Sequence, residues 1–266
     1  MDLNEIRKRV YVSCPFNLLR EKYLPRLVQE RINPEIGLNG TILEDYVLKD
    51  FLEVSGILRE NGLSCTLHAP FTDVSPGAID VRVRQIAVER IRQAIDLAAL
   101  FQARSLVFHT GWERKIYADA GDEWLDNFTG SLKEILEQAE KSDVNIMLEN
   151  VFELDTTLHR EVFGRFPQKR LGFCLDAGHV YAFSKTPLSV WIDDLGQRIG
   201  HLHLHDNHGG DDEHLAPGRG IVDFELLFSW LSRNGKSPVM TLEAHDEETV
   251  MPGLAAIGTF LDKYPV

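Results

Sequence analysis

Eight short, mostly apolar runs recur along the chain, at 10–14, 32–36, 64–68, 105–109, 145–149, 171–176, 201–205 and 239–243. Their length is that of buried strands. Between them apolar residues fall at helical spacing over 18–30, 43–61, 78–102, 124–141, 155–166, 188–198 and 224–234, and again after the last run over 247–263. Strand and helix therefore alternate throughout. Asn61-Gly62 and Asn234-Gly235 supply the glycine that closes a helix ahead of the third and eighth runs. Such alternation gives a parallel sheet, and eight units favour closure into one βα barrel over an open doubly wound sheet. Cys14-Pro15-Phe16-Asn17 follows the first run where a dinucleotide site would need a glycine-rich phosphate loop.

A closed barrel places the C-terminal ends of all its strands on one face. There the runs deliver His68, His109, Glu149, Asp176, His203 and Glu243, which are far apart in sequence. The longest irregular stretches, 110–122 and 206–223, follow the fourth and seventh runs and rim the same face. The 266 residues suit one such barrel, so a single domain over 1–266 is expected.

Side-chain alternation sets His201, His203 and His205 on one side of their strand, the barrel interior. An isolated buried histidine is most often a hydrogen-bonded core residue. Three in one strand, adjoining Asp206 and His208, with Glu149, Asp176 and Glu243 each closing a hydrophobic strand, read better as a metal centre. A buried carboxylate costs several kcal/mol unless it is paired or metal-bound, and no Lys or Arg ends these strands. Mixed histidine and carboxylate donors suit Zn²⁺ or Mn²⁺ over Mg²⁺ or Ca²⁺. Asp176-Ala-Gly-His179 and Asp212-Glu-His214 add donors that, taken alone, would be ordinary polar loops.

Hydrophobic and charged residues, 44% and 26%, are in ordinary proportion, but the net charge of −13 argues against a dedicated nucleic-acid binder. No apolar run approaches a membrane span of about 20 residues, and residues 1–9 are polar, so a cytoplasmic location is the default expectation. Cys14, Cys65 and Cys174 lie on strands and read as buried structural thiols.

In these strand-end residues the chain resembles the xylose-isomerase-like TIM barrels, (β/α)8 folds that include sugar isomerases, epimerases and endonuclease IV. The resemblance covers nearly the whole chain. It implies a four-ligand site of Glu149, Asp176, His203 and Glu243, with Glu149 and Glu243 as catalytic carboxylates. The endonuclease's extra zinc ligands have counterparts in His68, His109, His179, Asp212 and His214. One to three divalent ions are thus implied: one on His68, His109 and Glu149, one on the four-ligand site, and one on His179, Asp212 and His214.

Two activities follow from the resemblance. The favoured one is a sugar or sugar-phosphate isomerase or epimerase, in which a metal-stabilised enediolate forms while a carboxylate moves the proton. The alternative is a three-zinc phosphodiesterase of the endonuclease IV type, weakened because loops 37–45 and 69–78 contain no Lys or Arg to track phosphates. Arg219, between two glycines, is expected to clamp an anionic group of a small substrate, with His205 and Trp112 as further substrate contacts. The pattern is compatible with a homo-oligomer.

Overall fold

The computed structural model describes residues 2–167 and 169–266. Eight parallel strands close on themselves in sequence order: β1 Val10–Pro15, β2 Asn33–Gly37, β3 Thr66–His68, β4 Leu106–His109, β5 Ile146–Glu149, β6 Leu171–Asp176, β7 Ile199–Leu204 and β8 Val239–Leu242. β8 returns to β1 through Val10 opposite Met240, so no strand edge is left open. Helices ring this barrel, their apolar faces buried against it.

Local chemistry sets most helix ends. The side chains of Asp80, Asp223 and Asp246 accept backbone N–H bonds and start helices Val81–Phe101, Phe224–Arg233 and Glu247–Lys263. Gly62 and Gly235 take the left-handed conformation after Asn61 and Asn234.

Three departures from the sequence pattern have local causes. The helix expected over 43–61 is two, Gly40–Asp45 and Leu48–Glu60, because Tyr46 and Val47 are extended and Asp50 caps the second by accepting Val47 N–H at 2.9 Å. The segment from Phe16 widens into a π-turn over Leu19–Tyr23 ahead of Pro25, which has no N–H to donate. A short helix, Leu3–Arg9, buries only Ile6 and so left no periodic trace. Among the described residues no helix is long and apolar enough to cross a membrane.

Candidate metal centre

The C-terminal ends of β3 to β8 meet around Glu149. Its Oε2 lies 3.1 Å from His68 Nε2 and 3.2 Å from His109 Nε2, while Oε1 lies 3.1 Å from His203 Nδ1 and 3.4 Å from His179 Nδ1. Register creates this hub: His109 is paired across the ladder with Glu149, and Asp176 with His203. His203 Nδ1 also lies 3.2 Å from Glu243 Oε1 and 3.8 Å from Asp176 Oδ2. Three carboxylates from three strand ends thus converge on one imidazole nitrogen. A further group gathers at Asp212, whose Oδ2 is 3.3 Å from His179 Nε2 and 3.0 Å from His214 Nε2.

Burial alone would raise the Glu149 carboxyl, but the adjacent His203 and His109 outweigh it and hold it well below the usual range. For His203, burial works toward the neutral form, and Cys174, Glu243, Glu149 and Glu35 drive it the other way, so it is raised well above an ordinary histidine. The Asp212 carboxyl is likewise held low despite its burial, chiefly by His179 and His214. Among the described residues the ion-pair partners of Glu149, Asp176, Asp212 and Glu243 are all histidines. Asp212 Oδ1 and His205 Nδ1 are buried without a hydrogen bond and lie 3.5 Å apart. Buried carboxylates, imidazole donors and orphaned polar atoms without a Lys or Arg are the donor chemistry of a divalent-metal site.

The strand ends are fixed by residues with no ligand role. The Asn150 amide donates to the Asp176 carbonyl and its Oδ1 accepts Asp176 N–H, both at 2.9 Å, which ties β5 to β6. Asp206, which adjoins the histidine run, knots the loop after β7: it accepts N–H bonds from Asn207, Gly218, Gly220 and Val222 at 2.8–3.0 Å. Leaving buried N–H groups unpaired costs about 1–3 kcal/mol each. Asp206→Ala should therefore lower stability by about 3 kcal/mol and open residues 206–223 to limited proteolysis. Wild-type protease resistance would refute this role.

The nine residues expected as ligands are brought together, whereas the three expected as substrate contacts do not line the cavity above them. His205 is fully buried, with Nε2 3.0 Å from Asp176 Oδ1 and its ring stacked on His214 at 4.0 Å, so it belongs to the ligand cluster and not to a substrate surface. Arg219 is exposed in its loop and Trp112 packs on Tyr117 and Trp124; neither lines the cavity above the cluster. His201 is a hydrogen-bonded core histidine. It lies between Ser105 Oγ at 3.0 Å and Thr241 Oγ1 at 2.8 Å, and burial pushes it down to about 3.

Sequence reasoning missed Glu35. This fully buried β2 carboxylate sits at the core of the barrel, accepting from Thr66 at 2.8 Å and Thr241 at 3.0 Å. Its Oε1 is 3.0 Å from His203 Nε2, off the line of a straight hydrogen bond, and its Oε2 is 3.3 Å from His201 Nε2. The contact orients His203 so that Nδ1 faces the three carboxylates, as an outer carboxylate orients a metal-ligating imidazole. The signal available was a lone Glu inside the apolar run 32–36.

Above the cluster opens a cavity of about 650 Å³. Its floor holds His68, His109, Glu149, His179, Asp212 and Glu243. Its aromatic walls stand close by: Phe71 stacks on His109 at 4.7 Å, and Phe183 lies 5.6 Å from His179 and 5.0 Å from Phe152.

A solved structure of a D-tagatose 3-epimerase-like protein superposes with a TM-score of 0.84 at 26% identity, covering 96% of this chain and 98% of that one. Among curated sequences, an uncharacterised protein of Methanocaldococcus jannaschii is 34% identical over 66% of this chain. That alignment spans 63% of the relative, less than two thirds of its length. Fructoselysine 3-epimerase of Shigella flexneri is 24% identical over 79% of this chain and 81% of its own. The model of the xylose isomerase-like TIM barrel family matches residues 35–261, from the buried glutamate of β2 into the last helix, and the chain belongs to that family.

Proposed function

We propose that this protein is a divalent-metal-dependent epimerase or isomerase of sugars. The observation that carries the reading is His203 Nδ1 facing Glu149, Asp176 and Glu243, of which Glu149 and Glu243 also line the apolar-walled cavity. Similarity to two 3-epimerases, or proteins like them, supports it. Glu149, Asp176, His203 and Glu243 would hold the ion, of Zn²⁺ or Mn²⁺ type by their donor chemistry. Bound there, a divalent cation supplies Lewis acidity that makes a C–H beside a sugar carbonyl more acidic.

The chain's own residues supply the proton handling. Glu149 and Glu243 come from different strands, β5 and the end of β8, and both line the cavity, so each can offer a carboxylate to a sugar carbon held between them. One carboxylate removes the proton and the other returns one to the opposite face, which inverts the centre. Phe71, Phe152 and Phe183 cover the site and limit water that would exchange the proton.

One observation favours a second reading. His68 and His109 on one side and His179, Asp212 and His214 on the other complete a nine-residue set, which fits three ions and phosphodiester hydrolysis. Against it stand the walls, where apolar side chains predominate and the single Lys or Arg among the described lining residues is Arg26. Counting metal per chain in purified protein and assaying an abasic DNA duplex separates the two. The epimerase reading expects turnover of a ketose, and weak duplex binding with a shallow salt dependence. Efficient incision at physiological salt with three zinc ions per chain would overturn it.

A further inference from the structure

The outer half of the cavity does not look like a place for phosphate. Arg26 is its one guanidinium among the described residues, and it is already held by Glu30 at 2.8 Å and Glu247 at 3.0 Å. Glu30 and Glu247 are taken up by Arg7, Lys22 and Arg26, and Asp246 caps the last helix, so among the described residues no lining cation is left free for an anion. Arg219, the cation the sequence offered for an anionic substrate, is exposed outside the lining. An anion brought here would meet carboxylates without a free cation, which costs affinity.

The same half is rich in apolar surface left exposed among the described residues. Leu18, Phe71 and Phe152 stand at the mouth with 39%, 53% and 43% of their surface exposed, an unusual state for large apolar side chains grouped around one opening. Phe152 packs edge-on against Phe183, and Phe71 lies flat on His109, so the rings are held in place and not free to fold away. At about 650 Å³ the cavity lies in the range, roughly 300–1,000 Å³, of sites that enclose drug-sized ligands, with room beyond the sugar at the floor.

We propose that the outer half of the cavity is a subsite for an uncharged apolar substituent, aliphatic or aromatic, carried by the sugar whose oxygens meet the floor. Its sugar half rests on the epimerase reading. Its apolar half rests on the walls alone.

The test uses the metal-loaded protein and calorimetric binding of D-tagatose, D-tagatose 6-phosphate, and the 1-O-benzyl and 6-O-benzyl ethers of D-tagatose. One benzyl ether should bind about ten-fold tighter than the parent sugar, the gain expected from covering a phenyl ring. The phosphate should bind more weakly than the parent. In Phe152→Ala the ratio of parent to benzyl-ether Kd should fall to about one, since the ring's partner surface is gone. Equal affinity of parent and both ethers, or tightest binding of the phosphate, overturns the proposal.

Benzyl alcohol, followed by saturation-transfer NMR, keeps the two readings apart. Transfer that disappears in Phe152→Ala while no ketose binds would retire the epimerase reading and leave the apolar subsite standing. No transfer in the wild-type protein would remove the subsite even if ketoses turn over.

Discussion

Glu149→Gln is expected to release metal and to lower turnover by a factor of about 10²–10⁴, the range associated with losing a positioned proton-transfer group. The substitution is nearly isosteric, so the fold should persist and the far-ultraviolet circular dichroism should match the wild type. The expectation follows from the two-sided contacts of this carboxylate. One oxygen serves His68 and His109 and the other serves His203 and His179, so an amide cannot satisfy both sides with charge. Glu243→Gln should lose metal as well but keep the contacts around His68 and His109, since its carboxylate approaches His203. Measuring bound zinc and manganese by mass spectrometry alongside kcat checks both variants. Full metal retention in each would show that neither carboxylate is a ligand.

A second large effect is expected deep in the barrel. Glu35→Leu removes the acceptor of two threonine hydroxyls and the counter-ion beside His203, leaving buried polar groups without partners. Breaking a buried pair by deleting one member typically costs about 3–5 kcal/mol. Urea denaturation of the metal-free protein reads that loss. Glu35→Gln separates positioning from packing: it keeps the volume and can still accept from the hydroxyls, but it loses the charge that orients His203. Metal affinity, measured by competition with a fluorescent chelator, should fall by about 10–100-fold in this variant, as is usual when an outer partner of a ligand is changed. Wild-type metal affinity in Glu35→Gln would remove its positioning role.

The barrel was readable because its strands are short apolar runs whose last residue changes character at the face where solvent and ligand enter. His68, His109, Glu149 and Asp176 each close their strands, and Glu243 follows β8 directly. A residue that interrupts an apolar run from within gave a weaker sign. Glu35 sits mid-run beside Asn33 and Pro34, where a carboxylate has no visible partner until β2 is placed against β3 and β7 is seen across the barrel. Alternation alone treats His201, His203 and His205 alike. Their different fates depend on depth: His201 meets Ser105 and Thr241, His203 meets the carboxylates, and His205 is roofed by His214. Arg219 was singled out because flanking glycines give a loop reach, yet the knot that Asp206 ties through Gly218 and Gly220 fixes where that loop goes.

Glu149, Asp176, His203 and Glu243, the proposed ion ligands, stand on or next to strands locked by the sheet ladder, whereas Phe71 and Phe152 are borne by connecting segments outside any strand. The two sets answer to different mutations. A lineage could exchange wall residues one at a time and acquire new substrates while its reaction chemistry stayed the same. Changes in the ligand set would instead have to arise together, because each of its members leans on the charge of the next.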